Sequence, residues 1–263
     1  MKSTGPLFLS LALAAAPLAA ETAQERGKRV VNEALQAVGG KAYLAMEDRV
    51  ESGRAYSFFR QQLEGLSVAT VYTRYLTPVP GKPSVRERQI LGKDESSGAL
   101  FSPDGAWEIT FRGARLLEPK RIDTWRDGTL RNVFYILRQR LDEPGMDFYS
   151  RGSDLYDNLA VEIVDITDAA GLTVTVYFSR SNKLPVRQVL KRRNPEYKDF
   201  DTEETLFARY RGVGGVMWPL SIRRQRNGEK LYEIYSESVQ INKNLRDDLF
   251  TLPPKLPILP PAK

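Results

Sequence analysis

The chain contains no cysteine and no histidine. Without thiol or imidazole there is no disulfide framework, no Ser-His-Asp or Cys-His nucleophile system, and no metal site that needs either ligand. Ser-x-x-Lys, Gly-x-Ser-x-Gly, Gly-x-x-x-x-Gly-Lys and Gly-x-Gly-x-x-Gly are also missing, which removes most hydrolase and phosphate-cradling chemistry. Carboxylates are what remains. Asp199, Asp201 and Glu203 alternate in a way that could hold calcium, but the glycine of a tight calcium loop is missing and Lys198 sits beside them, so a solvated hairpin loop is the competing reading. Asp247-Asp248 and Glu203-Glu204 are adjacent pairs whose side chains diverge in extended chain, which argues against a cooperating acid and base.

Long apolar runs are scarce as well. One stretch, Leu7 to Ala16, follows the lone charge of Lys2 and leads into Pro17-Leu18-Ala19-Ala20 before the polar Glu21. It is too short to cross a bilayer core of roughly 30 Å as a helix. The order of charge, apolar run and small residues is that of a signal peptide over residues 1–20, cut after Ala20, with an uncleaved anchor as the alternative. No cysteine follows it to carry a lipid. The expectation is an exported, soluble periplasmic protein of 243 residues, 20 fewer than the 263 of the chain, read as one domain over 21–252 with a Pro-rich tail over 253–263.

Lysine and arginine number 39 against 33 acidic residues. Loss of Lys2 leaves a net charge of +5. The two signs alternate, so nucleic acid is not an expected partner, whereas transient contact with an anionic membrane is. Lys191-Arg192-Arg193 and Arg223-Arg224 with Arg226 read either as headgroup-docking clusters or as solvated strand ends.

Val30, Val31, Ala34, Leu35 and Val38 recur at three and four residues before Gly39-Gly40, predicting an amphipathic helix from Glu21 to Val38. A short helical stretch follows at Tyr43 to Met46. Runs rich in Val, Tyr, Phe and Thr then predict antiparallel strands near 50–60, 66–76, 85–91, 99–102, 107–111, 147–151, 160–167, 172–179, 186–192, 204–210, 217–226 and 230–241. In the clearest, Leu172, Val174, Val176 and Phe178 share one side. Pro103-Asp104-Gly105 and Asn227-Gly228 supply hairpin turns. Ser102-Pro103-Asp104-Gly105 before Trp107 resembles a propeller-blade motif, yet it occurs once, which favours a β-turn. Between Glu118 and Leu141, Ile122, Trp125, Val133, Phe134, Leu137 and Leu141 keep helical spacing. A helix inside a meander must cover something, and the concave face of the sheet is the natural place. The segment from Pro253 to Pro261 is polyproline-like.

Two stretches carry a resemblance. Asn182-Lys-Leu-Pro185-Val-Arg-Gln-Val189 leads through a proline into a strand, and Ile241-Asn-Lys-Asn-Leu245 through Asp248-Leu249-Phe250-Thr251-Leu252-Pro253 closes the last one. With the order of helix, meander and covering helix, the chain resembles the bacterial periplasmic lipoprotein-carrier superfamily. That superfamily includes the lipoprotein-sorting chaperone, its outer-membrane receptor, the stress-sensor partner of an anti-sigma factor and mycobacterial lipid-binding relatives. The chain is also similar to exported proteins labelled outer-membrane lipoprotein-sorting proteins. The resemblance implies a mainly β, α+β fold: a strongly curved antiparallel sheet forming an incomplete barrel, helices over its concave face, and an apolar cavity for acyl chains. No residue here is matched to the carrier's ligand-gating arginine.

Phe58, Tyr72, Trp107, Phe111 and Tyr177 from strands, with Trp125 and Phe134 from the covering helix, are the candidate cavity lining; ordinary core packing is the alternative for each. No enzyme activity, cofactor or metal is expected. The expected partners are a lipid or the acyl chains of a lipoprotein, with an inner-membrane transport complex or envelope protein for loading. A regulatory protein-protein interaction module with no lipid cargo is the second reading, and a carboxylate hydrolase or propeller-like scaffold the third.

Overall fold

The computed structural model describes residues 20–92, 97–103, 105–194 and 197–261. The leader read at 1–20 therefore lies, apart from Ala20, outside the described residues, as does Asp104 of the expected turn.

Helix α1 spans Ala23–Val38 and opens on a capping box, in which Thr22 Oγ accepts from the Glu25 amide at 3.2 Å and Glu25 accepts from the Thr22 amide at 2.8 Å. Its five periodic residues Val30, Val31, Ala34, Leu35 and Val38 are all buried. Each contributes about 1.5–3 kcal/mol when fully withdrawn from water, alanine less. Gly27 is the one unexpected residue in the stripe. A Cβ there would stand 2.1 Å from the Phe148 carbonyl oxygen, so its absence is what lets the helix lie this close to the sheet. A single turn, α2 (Lys41–Leu44), follows.

The first six strands are β1 (Asp48–Phe59), β2 (Gln62–Tyr75), β3 (Val85–Leu91), β4 (Ser97–Ser102), β5 (Gly105–Thr110) and β6 (Gly113–Leu116). Helix α3 (Pro119–Leu130) comes next, then α4 (Val133–Tyr135), which runs into a π-helical turn over Ile136–Arg140. The remaining strands are β7 (Asp147–Tyr156), β8 (Leu159–Thr167), β9 (Thr173–Ser179), β10 (Pro185–Arg193), β11 (Phe200–Val213), β12 (Val216–Arg226) and β13 (Glu229–Ile241). All thirteen described strands form one antiparallel sheet, in the order β6-β5-β4-β3-β2-β1-β13-β12-β11-β10-β9-β8-β7. The sheet is open and curved, and its edges β6 and β7 do not pair with each other.

This order explains the covering helices. The chain leaves the sheet at one edge, β6, and re-enters at the other, β7, so the connection must cross a whole face. The single helix expected over 118–141 is instead broken at Arg131-Asn132: the Asn132 side chain accepts from the Phe134 amide at 2.9 Å and starts a second helical piece. The first piece runs against β4 and β5, where Trp125 stacks on Phe101 at 4.9 Å. The second joins α1 over β7 to β9 in the main core, with Leu137, Val164, Val174, Val176 and Phe178 all buried. Leu172, expected in that stripe, precedes β9 and is 45% exposed.

The Asn227-Gly228 turn has positive φ at both residues, 50° and 80°, as a two-residue hairpin of this twist requires. On the face away from the helices, residues 242–252 form a strap. Leu245 and Phe250 are buried with Leu100, and Asp48 fixes the strap's start by accepting from the amides of Lys243 at 2.7 Å and Leu245 at 2.9 Å. The Pro-rich tail continues to the edge strand: the Ala114 amide donates to Pro257 O at 2.8 Å and the Leu259 amide to Ala114 O at 2.7 Å. Strand β6 was not foreseen, since Gly113-Ala-Arg-Leu116 has little intrinsic strand preference and takes its form from its neighbours.

Candidate functional site

Between the helix-covered face of the sheet and the crossing α3–α4 segment lies a cavity of about 520 Å³. It sits over the central strands, where the two meanders meet at β1–β13. Strand pairing sets its rows. Ile234, Ile222 and Phe207 stand side by side on β13, β12 and β11, and Arg49, Thr73 and Glu87 on β1, β2 and β3.

The apolar part is built on aromatic contacts. Phe134 meets Phe207 edge-on at 5.2 Å and Trp218 at 5.0 Å. It is held from behind by the buried Tyr43 hydroxyl, which donates to Phe134 O at 2.6 Å. Val71, Ile222 and Ile234 extend the apolar wall.

The polar part is charged. Arg49 lies over Trp218, its guanidinium carbon 4.0 Å from the ring centre. Its Nη2 donates to Thr73 Oγ at 3.2 Å, and its Nε stands 3.4 Å from Glu51 Oε2. Glu51 also accepts from the Ser236 hydroxyl. Glu87 accepts from Gln89 Nε2 at 2.6 Å, and burial in the cavity wall pushes its carboxyl above the ordinary carboxylate value. Burial likewise pushes the Tyr75 phenol up. On the far side Arg224 lies over Tyr232, 5.5 Å from its ring centre. Exposed Lys120, Arg121 and Thr124 of α3 mark where the cavity meets solvent.

Of the seven residues singled out in the sequence, Trp125 and Phe134 line this cavity. Tyr72 and Trp107 face the other way and pack under the strap with Leu100 and Phe250. Phe111 is 77% exposed at the β5–β6 turn. Phe58 lies near the β1–β2 turn with Lys230 Nζ 4.5 Å from its ring centre, and Tyr177 is held on the sheet's outer side by Tyr156 and Arg187. The cause is parity: side chains alternate across a strand, so size cannot tell which face a residue takes. Bulges on the partner strands, with Glu237 of β13 and Glu64 of β2 as the extra residues opposite β1, shift the parity of those partners relative to β1. The charged lining carries no sequence motif: Glu51 and Glu87 fall at ordinary polar positions of expected strands, and Arg49 lies just before the first expected strand although β1 begins at Asp48.

The remaining polar candidates are tied up in the sheet. Asp201 accepts from Asn194 and Asn227 side chains at 3.2 and 2.9 Å, and Glu203 pairs with Arg192 and Arg226. Among the described residues no group of acidic side chains could hold a metal ion, and no helix is long and apolar enough to cross a membrane. Half of the basic-cluster residues are ion-paired: Arg192 with Asp127 at 2.7 Å, Arg223 with Glu233 at 3.1 Å and Arg226 with Glu203 at 3.0 Å.

The fold that this arrangement defines is lipoprotein-carrier-like. Among solved structures, a DUF1329 family protein from Desulfovibrio piger is similar at 12% identity with a TM-score of 0.63, covering 88% of this chain and 98% of that one. An outer membrane lipoprotein-sorting protein domain from Vibrio parahaemolyticus is similar at 10% identity with a TM-score of 0.59, covering 86% of this chain and 97% of the other. At these identities the likeness is one of fold. No family model matches the chain, and no curated protein matches it.

Proposed function

We propose that the protein is an exported, periplasmic carrier or sensor that holds an acyl chain of a lipid or lipoprotein non-covalently, in the manner its lipoprotein-sorting-like fold suggests. The observation that carries this reading is the cavity between sheet and crossing helices. Its volume of about 520 Å³ falls in the range of small-molecule sites, roughly 300–1,000 Å³. Val71, Phe134, Phe207, Ile222 and Ile234 give it an apolar wall, and each methylene hidden there gains about 0.8 kcal/mol. Trp125 and Phe134 are the ligand-contacting aromatics in this reading, one from each helical piece.

The test is to purify the chain lacking residues 1–20, search it for co-purified lipid by mass spectrometry and titrate it with a fluorescent fatty-acid probe. Bound lipid, or saturable probe binding reduced by Ile234→Trp, supports the carrier. A protein that is empty and binds no probe overturns it. If a stoichiometric protein partner is captured from the periplasm instead, the regulatory-module reading takes its place.

A further inference from the structure

Resting on the carrier reading, we propose that the ligand enters the cavity head first, and that its head is a carboxylate received by the Trp218 indole N–H and the Arg49 guanidinium. Trp218 is 4% exposed and lines the cavity, and its Nε1 has no hydrogen-bond partner among the described residues. Arg49, 9% exposed, lies over that ring with its guanidinium carbon 4.0 Å from the ring centre, and its Nε faces Glu51 Oε2 at 3.4 Å without a full hydrogen bond. A buried N–H left unpaired costs about 1–3 kcal/mol, and native folds hold few of them. Here the unpaired indole N–H sits beneath a guanidinium, both in the wall of one cavity. An anionic acceptor seated beside them would satisfy the indole and pair with the cation.

The charge of the wall selects the acceptor. Arg49, Lys120, Arg121 and Arg224 line the cavity with Glu51 and Glu87, and Arg121 is matched outside it by Glu108 at 3.7 Å, which leaves three cations against two carboxyls. Glu51 is already matched by Arg49 and the Ser236 hydroxyl, and Arg224 is in no ion pair among the described residues. A site with this excess of cations favours an anion over a neutral head such as an alcohol. With the head on Arg49 and Trp218, the row of Ile222 and Ile234 and the neighbouring Val71 are left to the alkyl chain.

The experiment compares laurate with dodecanol, which share a chain length and differ in the head, by displacement of a fluorescent fatty-acid probe from the chain lacking residues 1–20. Laurate is expected to bind tighter by about tenfold or more, the effect of one hydrogen bond to a charged group. In Trp218→Phe, which keeps an aromatic ring under Arg49, the ratio falls toward one because only laurate weakens. Equal affinities for the intact protein, or an unchanged ratio in Trp218→Phe, overturn the proposal and leave the carrier standing. Binding of neither ligand overturns the carrier itself. Should Trp218→Phe fail to fold, the indole N–H resonances of the unmutated protein decide: laurate, and not dodecanol, shifts the Trp218 signal downfield, identified by eliminating those of Trp107 and Trp125 with Phe variants. No laurate-specific shift counts against the proposal.

Discussion

Arg140 of the π-helical turn and Glu143 form an ion pair at 2.7 Å with their side chains only 3% and 7% exposed. Asp168 stands 3.5 Å from the same guanidinium, Leu130 O accepts from it at 2.7 Å, and the Gly81 amide donates to Glu143 at 3.1 Å. The pair thus ties the crossing segment to the β2–β3 and β8–β9 connections. Glu143→Ala leaves a buried cation with only Asp168 nearby and should cost about 3 kcal/mol, read as a lower urea midpoint at unchanged slope. Replacing both partners with methionine should cost less than Glu143→Ala, and a double variant as unstable as the single one would contradict this.

Two carboxyls predict opposite dependences on pH. The hydrogen bond from Arg140 holds Glu143 below the ordinary carboxylate value, so its stabilisation is present above the unfolded-state pKa and is lost as pH falls through the folded one. Glu143→Gln should flatten the acid side of the stability curve.

Glu87 behaves the other way. Burial raises its pKa above the ordinary 4.5, so the folded state is favoured below that value and loses ground as pH rises through the folded pKa. Glu87→Gln keeps the acceptor for Gln89 and should be more stable than the unmutated protein at neutral pH, with the gap closing in acid. Urea titrations at the two pH values would show it; a gap that widens in acid would contradict the assignment.

Gly128 lies inside α3, and a Cβ there would meet only the end of the Arg224 side chain at 3.9 Å. Gly128→Ala should stabilise by roughly 0.5–1 kcal/mol through the unfolded chain's lost freedom. A lower melting temperature would show that the helix needs this glycine.

Asp48, 2% exposed, anchors the strap through the Lys243 and Leu245 amides. Asp48→Ala strands two donors and should cost about 2–4 kcal/mol, with earlier hydrogen exchange in residues 243–252 than elsewhere. Asp48→Asn retains one acceptor and should fall between.

Much of the fold was legible because it depends on local signals. The α1 stripe, the Pro185 strand start and the Asn227-Gly228 turn are written in consecutive residues. The cavity lining depends on which face each strand residue takes, and Tyr72 and Val71 are neighbours in sequence on opposite sides of the sheet. Only the cross-strand partners decide that. The break at Asn132 was equally hidden, since the apolar spacing runs through it and a capping side chain overrides the period.

The seam between β1 and β13 has a consequence for the order of assembly. Each half of the sheet is a run of neighbouring hairpins that can zip as soon as its residues are available. The seam pairs Asp48–Phe59 with Glu229–Ile241, the first strand made with the last. Such distant pairing is slow because a long loop must close before any contact rewards it. The two halves therefore stay unjoined until the last strand is available, and the cavity, which draws its walls from both, cannot form before that seam closes.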